Sequence, residues 1–505
     1  MPTMFRRKHA PPGYLAITIA FVFLGHHYYQ NNHDHYHRRH RHAGGSGRRI
    51  RRRIHQSLLG SSSFLEEGKN TEAVIPSRGR IYSNFRAFRL DWPCLSFDLF
   101  RNKGVLNTTC NIGERDSRRE MSQIGGWIRL ITGTNSVRAN ENSLVLIKTR
   151  PTRVRCSGHV EAESESLGDT DDNNINDGED GNIDFSEKKI DEEGHESSEI
   201  ERMLRWRHEG TVNRVRINPM DPSLVASMSE NGKVYVFNIQ RALSNLEKAN
   251  GPEMLSLRPV FEFCGHESEG YALAWSPHHN GTLLTGDIRG NVYLWRVDIS
   301  GEYWRINEQN PFRHHGSVED IVWSPVEPYV FATAATDGMV RIWDVRDTTR
   351  PKITFKAHDD HVNVISWNRI RQSSHLLASG SEDGLIHVWD LREIGMMAQS
   401  QKQKDGVIAP KPIASLIFHR GPITSVDWHP SEEAVLIAAS EDHLLSVWDL
   451  SLEEDGQNRQ ELPASLYFLH QGQQQLKEIM FSPDVQGMIV STAETGFNVF
   501  RPVNL

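Results

Sequence analysis

Cysteine is scarce in this chain, which has four cysteines in 505 residues. No two of them have Cys-x-x-Cys spacing, and four cannot build a disulfide scaffold in a chain of this length. Long apolar runs are also lacking: the run from Tyr14 to Leu24 falls well short of the roughly 20 residues that a membrane-spanning helix needs. These absences exclude a disulfide-rich secreted domain and a polytopic membrane protein.

A strong net charge is missing too. The 57 Lys+Arg and 65 Asp+Glu give a formal net charge of −8, which weakens any interpretation of the whole chain as a nucleic-acid binder. This average hides two segments of opposite sign. Residues 1–60 contain eleven Lys/Arg and one acid, whereas residues 161–199 contain sixteen acids and two lysines. The remainder is a mildly acidic body.

The first segment, residues 1–80, is predicted to be a disordered tail. Its short apolar run has the length of a signal-peptide core, but no small-x-small cleavage site follows it. A His/Arg-rich tract extends from His33 to Arg53, and its irregular spacing argues against a metal site. Nuclear targeting or RNA binding, a secretory signal, and translated sequence upstream of the true start stay open as interpretations.

The second segment, residues 157–202, is predicted to be a disordered acidic insertion between the first and second blades of the fold derived below. It has too few apolar residues to offset the entropy of ordering. A solvated loop is one interpretation, and a strip that binds a basic client protein is the other. The candidate client-binding residues are its acids, Asp169, Asp171, Asp172, Asp177, Glu179, Asp180, Asp191, Glu192 and Glu193.

The body repeats one pattern six times. Each repeat begins with a histidine, continues with a strand often ending in Trp-Ser-Pro, and turns sharply before an alternating strand that ends in Trp or Phe. The repeats begin at His208, His266, His315, His358, His419 and His470, and their last aromatics are Phe237, Trp295, Trp343, Trp389, Trp448 and Phe500. The aromatics are 46 to 59 residues apart, which indicates WD repeats with insertions and hence an all-β propeller.

A histidine, a Ser/Thr, an acid and a tryptophan within one repeat can form a hydrogen-bonded chain. The clearest set is His358, Ser379, Asp383 and Trp389, and equivalent positions are His266, Trp295, Trp343 and Trp448. A catalytic Ser-His-Asp set is the competing interpretation. Because the set recurs with the period of the fold, a structural role is favoured and no catalytic, metal or cofactor site is expected.

Seven blades are expected from the ends of the chain. The sixth repeat lacks an outer strand, and an open sheet edge is a liability. We expect Cys94–Leu99 to supply this strand and so to close the ring. Trp127–Thr134 and Ser143–Lys148 then form most of an N-terminal blade, and the propeller occupies residues 88–505.

Five segments of the body are distinctive when taken together with the acidic insertion: Leu90–Asp98, Gly133–Thr134, Asn142–Leu144, Phe263–Pro277 and His315–Asp320. They resemble the glutamate-rich WD-repeat family, the ribosome-assembly regulators within the histone-binding WD-repeat superfamily. The resemblance covers roughly residues 88–505. It implies a seven-bladed propeller in the nucleus and nucleolus that escorts a basic ribosomal protein of the large subunit and binds histones.

Three non-enzymatic functions follow. The first is an assembly chaperone for a basic client, and the second is a chromatin-complex subunit that reads histone tails. The third is a substrate receptor of a cullin-type ubiquitin ligase, because Arg346 and Arg392 end Trp-Asp-x-Arg motifs that resemble adaptor-docking motifs. No enzymatic motif is present, so we expect neither a small-molecule substrate nor a cofactor, and no membrane partner.

Overall fold

The computed structural model of the chain is a β-propeller. It describes residues 82–101, 127–149, 200–298, 303–400, 407–452 and 462–505, except for 91, 137, 139–140, 249–252, 308–310 and 504. Within these residues the strands form seven antiparallel sheets, one for each blade. The predicted seven-bladed propeller is therefore confirmed.

The first four blades follow one another along the chain. Blade 1 contains β2 (Phe97–Leu99), β3 (Ile128–Gly133), β4 (Ser143–Thr149), β5 (Arg202–Arg207) and β9 (Met254–Leu255). Blade 2 contains β6 (Val212–Ile217), β7 (Leu224–Ser229), β8 (Val234–Asn238) and β10 (Phe261–Phe263). Blade 3 contains β11 (Ala272–Trp275), β12 (Thr282–Gly286), β13 (Asn291–Val297), β14 (Trp304–Ile306) and β15 (Phe312–Arg313). Blade 4 contains β16 (Val318–Trp323), β17 (Val330–Ala335), β18 (Met339–Asp344) and β19 (Ile353–Lys356).

The last three blades complete the ring. Blade 5 contains β20 (Val362–Trp367), β21 (Leu376–Ser381), β22 (Leu385–Asp390) and β23 (Ala414–Ile417). Blade 6 contains β24 (Ile423–Trp428), β25 (Val435–Ser440), β26 (Leu445–Asp449) and β27 (Leu466–His470). Blade 7 contains β28 (Leu476–Phe481), β29 (Ile489–Ala493), β30 (Gly496–Pro502) and β1 (Tyr82–Phe88).

Strand alternation places apolar side chains on both faces of each blade. In β18, Val340 and Ile342 pack toward blade 5, whereas Trp343 packs toward blade 3. Among the described residues, an apolar cluster of this kind fills the interface between each pair of neighbouring blades. The core is thus divided into seven wedges, and the ring is stable only if all seven interfaces are formed.

Ring closure uses a different strand from the one we expected. Strand β1 pairs with β30, while Phe97–Leu99 pairs with β3 as the inner strand of blade 1. The prediction that Cys94–Leu99 completes the last repeat is therefore wrong, although the chain's two ends do pair. Ser83, Asn84 and Arg86 interrupt the apolar pattern of Tyr82–Phe88, so its strand character is weak in the sequence. A propeller starting at residue 88 would lack this strand.

The acidic insertion leaves the ring from a single blade. Residues 150–201 connect β4 to β5, and both strands belong to blade 1. The expectation that this segment joins the first and second blades is corrected accordingly. Its candidate client-binding acids lie outside the described residues, as does the tail of residues 1–80.

Two insertions cover outer strands of preceding blades. The first contains helix α1 (Gln240–Leu246), which packs on β4 and β5, and then β9, which pairs with β5 in parallel. The second contains helix α2 (Leu391–Ser400), which packs on β19, and Ile408, whose backbone bonds Thr354 and Lys356 of that strand. Both insertions protect sheet edges that would otherwise be open. None of the helices in the described residues is long and apolar enough to span a membrane.

Candidate functional site

The inner strands β2, β6, β11, β16, β20, β24 and β28 surround a central channel. The channel opens on two faces. We call one the turn face, because it carries the tight turns between second and third strands, such as Asp383–Gly384. The other is the loop face, which carries the connections between first and second strands, such as Ser324–Pro325. Each candidate site described below lies on one of these two faces or in the channel between them.

A hydrogen-bonded chain of histidine, hydroxyl and tryptophan lies at the turn-face end of blades 3 to 6, and in blade 3 it also includes the acid. His266 Nδ1 lies 2.8 Å from Asp287 Oδ2, and His266 Nε2 lies 2.8 Å from Thr285 Oγ1. Trp295 Nε1 donates to the same hydroxyl at 3.0 Å. Each of these four groups is buried, so the chain serves packing and offers no nucleophile to solvent.

Blade 5 contains the set that the sequence predicted most clearly. Ser379 Oγ lies 2.7 Å from His358 Nε2 and accepts from Trp389 Nε1 at 2.9 Å. Asp383 is less closely held, since 3.7 Å separates its Oδ2 from His358 Nδ1. The acid-histidine link is therefore absent as a hydrogen bond in this blade.

Two blades vary the pattern. In blade 6 the hydroxyl comes from the third strand, because Ser446 Oγ contacts His419 Nε2 and accepts from Trp448 Nε1, each at 2.7 Å. In blade 4 the buried histidine is His314, whose Nε2 lies 2.7 Å from Thr333 Oγ1, and Trp343 donates to that hydroxyl at 3.1 Å. The assignment of this repeat's start to His315 is thus corrected, since that residue is exposed.

The channel wall contains a carboxylate that joins three blades. Glu478 of blade 7 accepts from the backbone N–H of Phe97 in blade 1 at 2.8 Å. It also accepts from Arg214 at 3.1 Å and Arg216 at 2.6 Å, both in blade 2. Burial alone would raise the pKa of Glu478, but the charges of Arg216 and Arg214 hold it below its ordinary value. Glu478 therefore links blades 7, 1 and 2 where the ring closes, and we call this set of bonds the clasp.

Three aspartates repeat a simpler version of this clasp. Asp98 accepts from Ile217 N at 2.8 Å, Asp320 from Ile365 N at 3.1 Å, and Asp427 from Phe481 N at 3.0 Å. Each bond connects one inner strand to the next. Burial raises the pKa of all three, although nearby arginines oppose the shift. They are structural acids, and none is free to bind a ligand directly.

An acidic rim surrounds the channel on the turn face. We define the acidic rim as Glu230, Glu269, Glu319, Glu382, Glu441 and Glu494. Four of its members occupy one repeated position directly after a blade's second strand, where the backbone N–H bonds the loop preceding the inner strand. The residues at this position are Glu230, Glu382, Glu441 and Glu494. Because the fold repeats, the same position carries a glutamate in four blades, and these four carboxylates form a partial ring.

Most rim carboxylates lack a neutralising cation in the part of the chain that the structure describes. Only Glu441 has an ion pair, at 3.5 Å from Lys477. Burial raises the pKa of Tyr271 to about 12, and the nearby charges of Glu269 and Glu319 add to the shift. Two cations of this face bind acids outside the rim, Arg289 with Glu267 and Arg341 with Asp337. The rim is therefore a concentration of unneutralised negative charge.

Comparison with known proteins identifies the family. The "WD domain, G-beta repeat" model matches residues 307–344, 349–390 and 410–449. Ribosome assembly protein rrb1 of Schizosaccharomyces pombe is 32% identical, with 87% of this chain and 84% of that protein covered. Protein HEAT STRESS TOLERANT DWD 1 of Arabidopsis thaliana is 35% identical, with 87% and 90% covered. The chain belongs to the rrb1 family of WD-repeat proteins.

A third relative agrees with this assignment. Glutamate-rich WD repeat-containing protein 1 of Dictyostelium discoideum is 33% identical over 59% of this chain and 60% of that protein. The resemblance predicted from Leu90–Asp98 and Phe263–Pro277 is thereby confirmed. The chain is a homologue of a ribosome-assembly WD-repeat protein.

The two motif arginines of this rrb1-family chain lie on the loop face. Arg346 and Arg392 each bind the aspartate of their own Trp-Asp motif, Asp344 at 2.6 Å and Asp390 at 2.7 Å. Their side chains are 65% and 55% exposed. Arg346 also lies over the ring of Tyr329. Each guanidinium is therefore oriented by an acid and still reachable by a partner.

Sequence reasoning missed the acidic rim, although a signal for it was present. Ser-Glu-Asn-Gly, Ser-Glu-Asp-Gly, Ser-Glu-Asp-His and Ala-Glu-Thr-Gly begin at positions 229, 381, 440 and 493. The glutamate recurs immediately before the turn residues that were used to define the repeats. In the described residues, no group of three or more His, Cys, Asp and Glu side chains could hold a metal ion.

Proposed function

We propose that this protein is a non-enzymatic carrier that holds a basic client on the acidic rim during ribosome assembly. The observation that carries the proposal is the rim itself, in which five carboxylates lack a cation within the described residues. The homology of the chain to ribosome assembly protein rrb1 supports a role in ribosome assembly. A basic ribosomal protein of the large subunit is the proposed client, and the nucleus and nucleolus are the proposed site of action.

The physics of the rim suits such a client. A newly made ribosomal protein carries dense positive charge that would bind nucleic acid nonspecifically. The rigid propeller backbone presents matching charge, so that only side-chain freedom is lost on binding. Such charge accelerates encounter more than it strengthens the final complex. We propose that the acidic insertion, including Asp171, Asp172, Asp191, Glu192 and Glu193, adds to this field. Histones are a second client class because they carry the same charge.

Capture from cell extract tests the proposal. The full chain is compared with the variant Glu230→Gln, Glu382→Gln, Glu494→Gln and with a control that removes the same charge elsewhere. The control is Glu253→Gln, Glu327→Gln, Glu393→Gln, all exposed and outside the rim. We expect large-subunit ribosomal proteins in the captures of the parent and the control at low salt, and their strong depletion from the rim variant. Equal capture by all three proteins would contradict the proposal.

A second candidate function rests on the exposed arginines of the loop face. Arg346 and Arg392 belong to adjacent blades and present oriented guanidinium groups, as adaptor docking requires. A substrate receptor of a cullin-type ligase would lose adaptor binding in the variant Arg346→Ala, Arg392→Ala while keeping its basic client. A chromatin-complex subunit would instead be retained with histone-modifying enzymes, whichever arginines are replaced.

A further inference from the structure

The loop-face end of the channel widens into a cavity of about 450 Å³. We call this cavity the funnel. Inner strands of all seven blades contribute to its wall, and the prolines of their connecting loops, including Pro219, Pro277 and Pro325, lie around its mouth. The funnel opens away from the acidic rim, so nothing in the proposed client function uses it.

Two arginines stand at the funnel without full charge compensation. In the described parts of the chain, no ion pair joins Arg101 to a carboxylate, and the side chain is exposed. Arg369 donates only from Nη2, to Asp427 at 3.0 Å, and its side chain is 49% exposed. Several N–H donors of both guanidinium groups are therefore available at the mouth.

The two positive charges are close enough to oppose each other. Desolvation by the funnel wall lowers the pKa of Arg101, and the charge of Arg369 lowers it further. Like charges at a cavity mouth are unfavourable unless an anion lies between them. Asp98, Asp484 and Asp427 offset part of this repulsion, but Asp98 and Asp427 also accept backbone hydrogen bonds inside the wall.

The funnel also limits what kind of anion it can accept. Its deeper wall contains four acids, Asp98, Asp320, Asp427 and Glu478, together with Arg214 and Arg216, which already bind Glu478. This part of the wall therefore offers no spare positive charge to a ligand with many negative charges. Inorganic polyphosphates and highly phosphorylated sugars are therefore poor matches. A ligand with one or two negative charges could bind at the mouth, where Arg101 and Arg369 would contact it.

Apolar side chains flank the same mouth. Met220 and Val326 are 45% and 44% exposed, and each follows directly after a proline that lines the funnel. A carboxylate-bearing peptide would cover these side chains, whereas a free phosphate would leave them in water. We propose that the funnel binds a partner peptide in which one or two carboxylates are flanked by apolar residues, with Arg101 and Arg369 as the carboxylate ligands.

A defined peptide pair tests this site in the full chain. The probe is fluorescein-labelled Val-Pro-Glu-Glu-Leu-Val-amide, and its partner replaces both Glu by Gln. Fluorescence anisotropy should show a Kd for the Gln peptide at least about tenfold weaker, because the neutral amides lose the charge-assisted hydrogen bonds to both arginines. The double variant Arg101→Gln, Arg369→Gln should lose a similar factor for the Glu peptide.

Two controls distinguish binding at the funnel from nonspecific attraction by positive charge and from loss of the fold. The variant Arg241→Gln, Arg350→Gln removes the same charge from exposed positions outside the funnel and should bind the Glu peptide like the parent. Arg101→Gln alone breaks no ion pair of the described chain, so it should weaken binding without altering thermal unfolding. Equal affinity for both peptides, or an unchanged Kd in the funnel variants, would overturn the proposal. Tighter binding of inorganic phosphate than of the Glu peptide would overturn the assignment to a peptide.

Discussion

Buried histidines are the residues most sensitive to solution conditions in this propeller. Burial lowers the pKa of His208 to about 4, and of His314 and His470 to about 3. All three are neutral in the folded state at physiological pH. His470 is held by Tyr82 Oη at 2.7 Å and by Asn498 Nδ2 at 3.0 Å, so it also reports on closure of the ring.

These histidines predict acid destabilisation that begins below about pH 6.5. A base whose pKa is lower in the folded state binds fewer protons there, so the free energy of unfolding falls as the pH drops through the unfolded value. Each such histidine contributes a slope approaching about 1.4 kcal/mol per pH unit near pH 5. Denaturant titrations of His470→Gln should show a smaller slope than the parent. The exposed control His315→Gln should keep the parent slope, and an identical slope in both variants would contradict the assignment.

The shared hydroxyl of the repeat provides a second residue-level prediction. Ser379→Ala leaves His358 Nε2 and Trp389 Nε1 without their common partner in a buried site. Two orphaned groups at roughly 1–3 kcal/mol each should lower the unfolding free energy by about 2–6 kcal/mol. The exposed serine of the same blade, Ser415, supplies the control Ser415→Ala, for which we expect less than about 0.5 kcal/mol. Similar losses in both variants would argue against the network.

Local repetition explains which residues could be predicted. The spacing of His358, Ser379 and Trp389 recurs along the chain, so a linear sequence suffices to place them together. The role of Glu478 instead depends on Phe97 and Arg216, which lie more than 250 residues away. A carboxylate that acts across three blades becomes recognisable only when the ring is closed.

Elements show the same contrast between local and long-range pairing. Strands β3 and β4 were predicted within one or two residues, because their apolar alternation is strong and local. Strand β1 was missed, since Ser83, Asn84 and Arg86 interrupt its apolar pattern and its partner lies at the other end of the chain. Phe88 stacks on Phe497 with ring centroids 5.1 Å apart, and this contact fixes the strand in blade 7.

Strand β1 is therefore predicted to control the stability of the whole ring. Tyr82→Ala with Phe88→Ala removes two buried aromatics from the interfaces of blade 7 with blades 6 and 1. Each loss should cost about 3–5 kcal/mol, and thermal unfolding should shift to a clearly lower temperature. The control Asn84→Ser with Ala87→Ser changes the same strand at residues outside both clusters and should unfold like the parent. An unchanged transition in the aromatic variant would mean that β1 does not close the ring.

At the scale of the whole molecule, the two faces of the ring carry different chemistry. The turn face presents the acidic rim, whereas the loop face presents Arg346 and Arg392 and the arginines of the funnel. The net charge of −8 averages over these faces and over the charged segments 1–60 and 161–199. It is consequently a poor guide to partners, and the sign of each face is the informative quantity.

Site-specific crosslinking tests most directly the central claim that a basic client binds the turn face. Ile288 occupies the repeated rim position in blade 3 and is 41% exposed, while Val326 is 44% exposed on the loop face. A photoreactive p-benzoylphenylalanine is placed at either position in the full chain, and the protein is irradiated with a large-subunit ribosomal protein or core histones. We predict crosslinks from position 288, suppressed by Glu230→Gln, Glu382→Gln, Glu494→Gln, and few or none from position 326. Crosslinks from 326 alone would contradict the account.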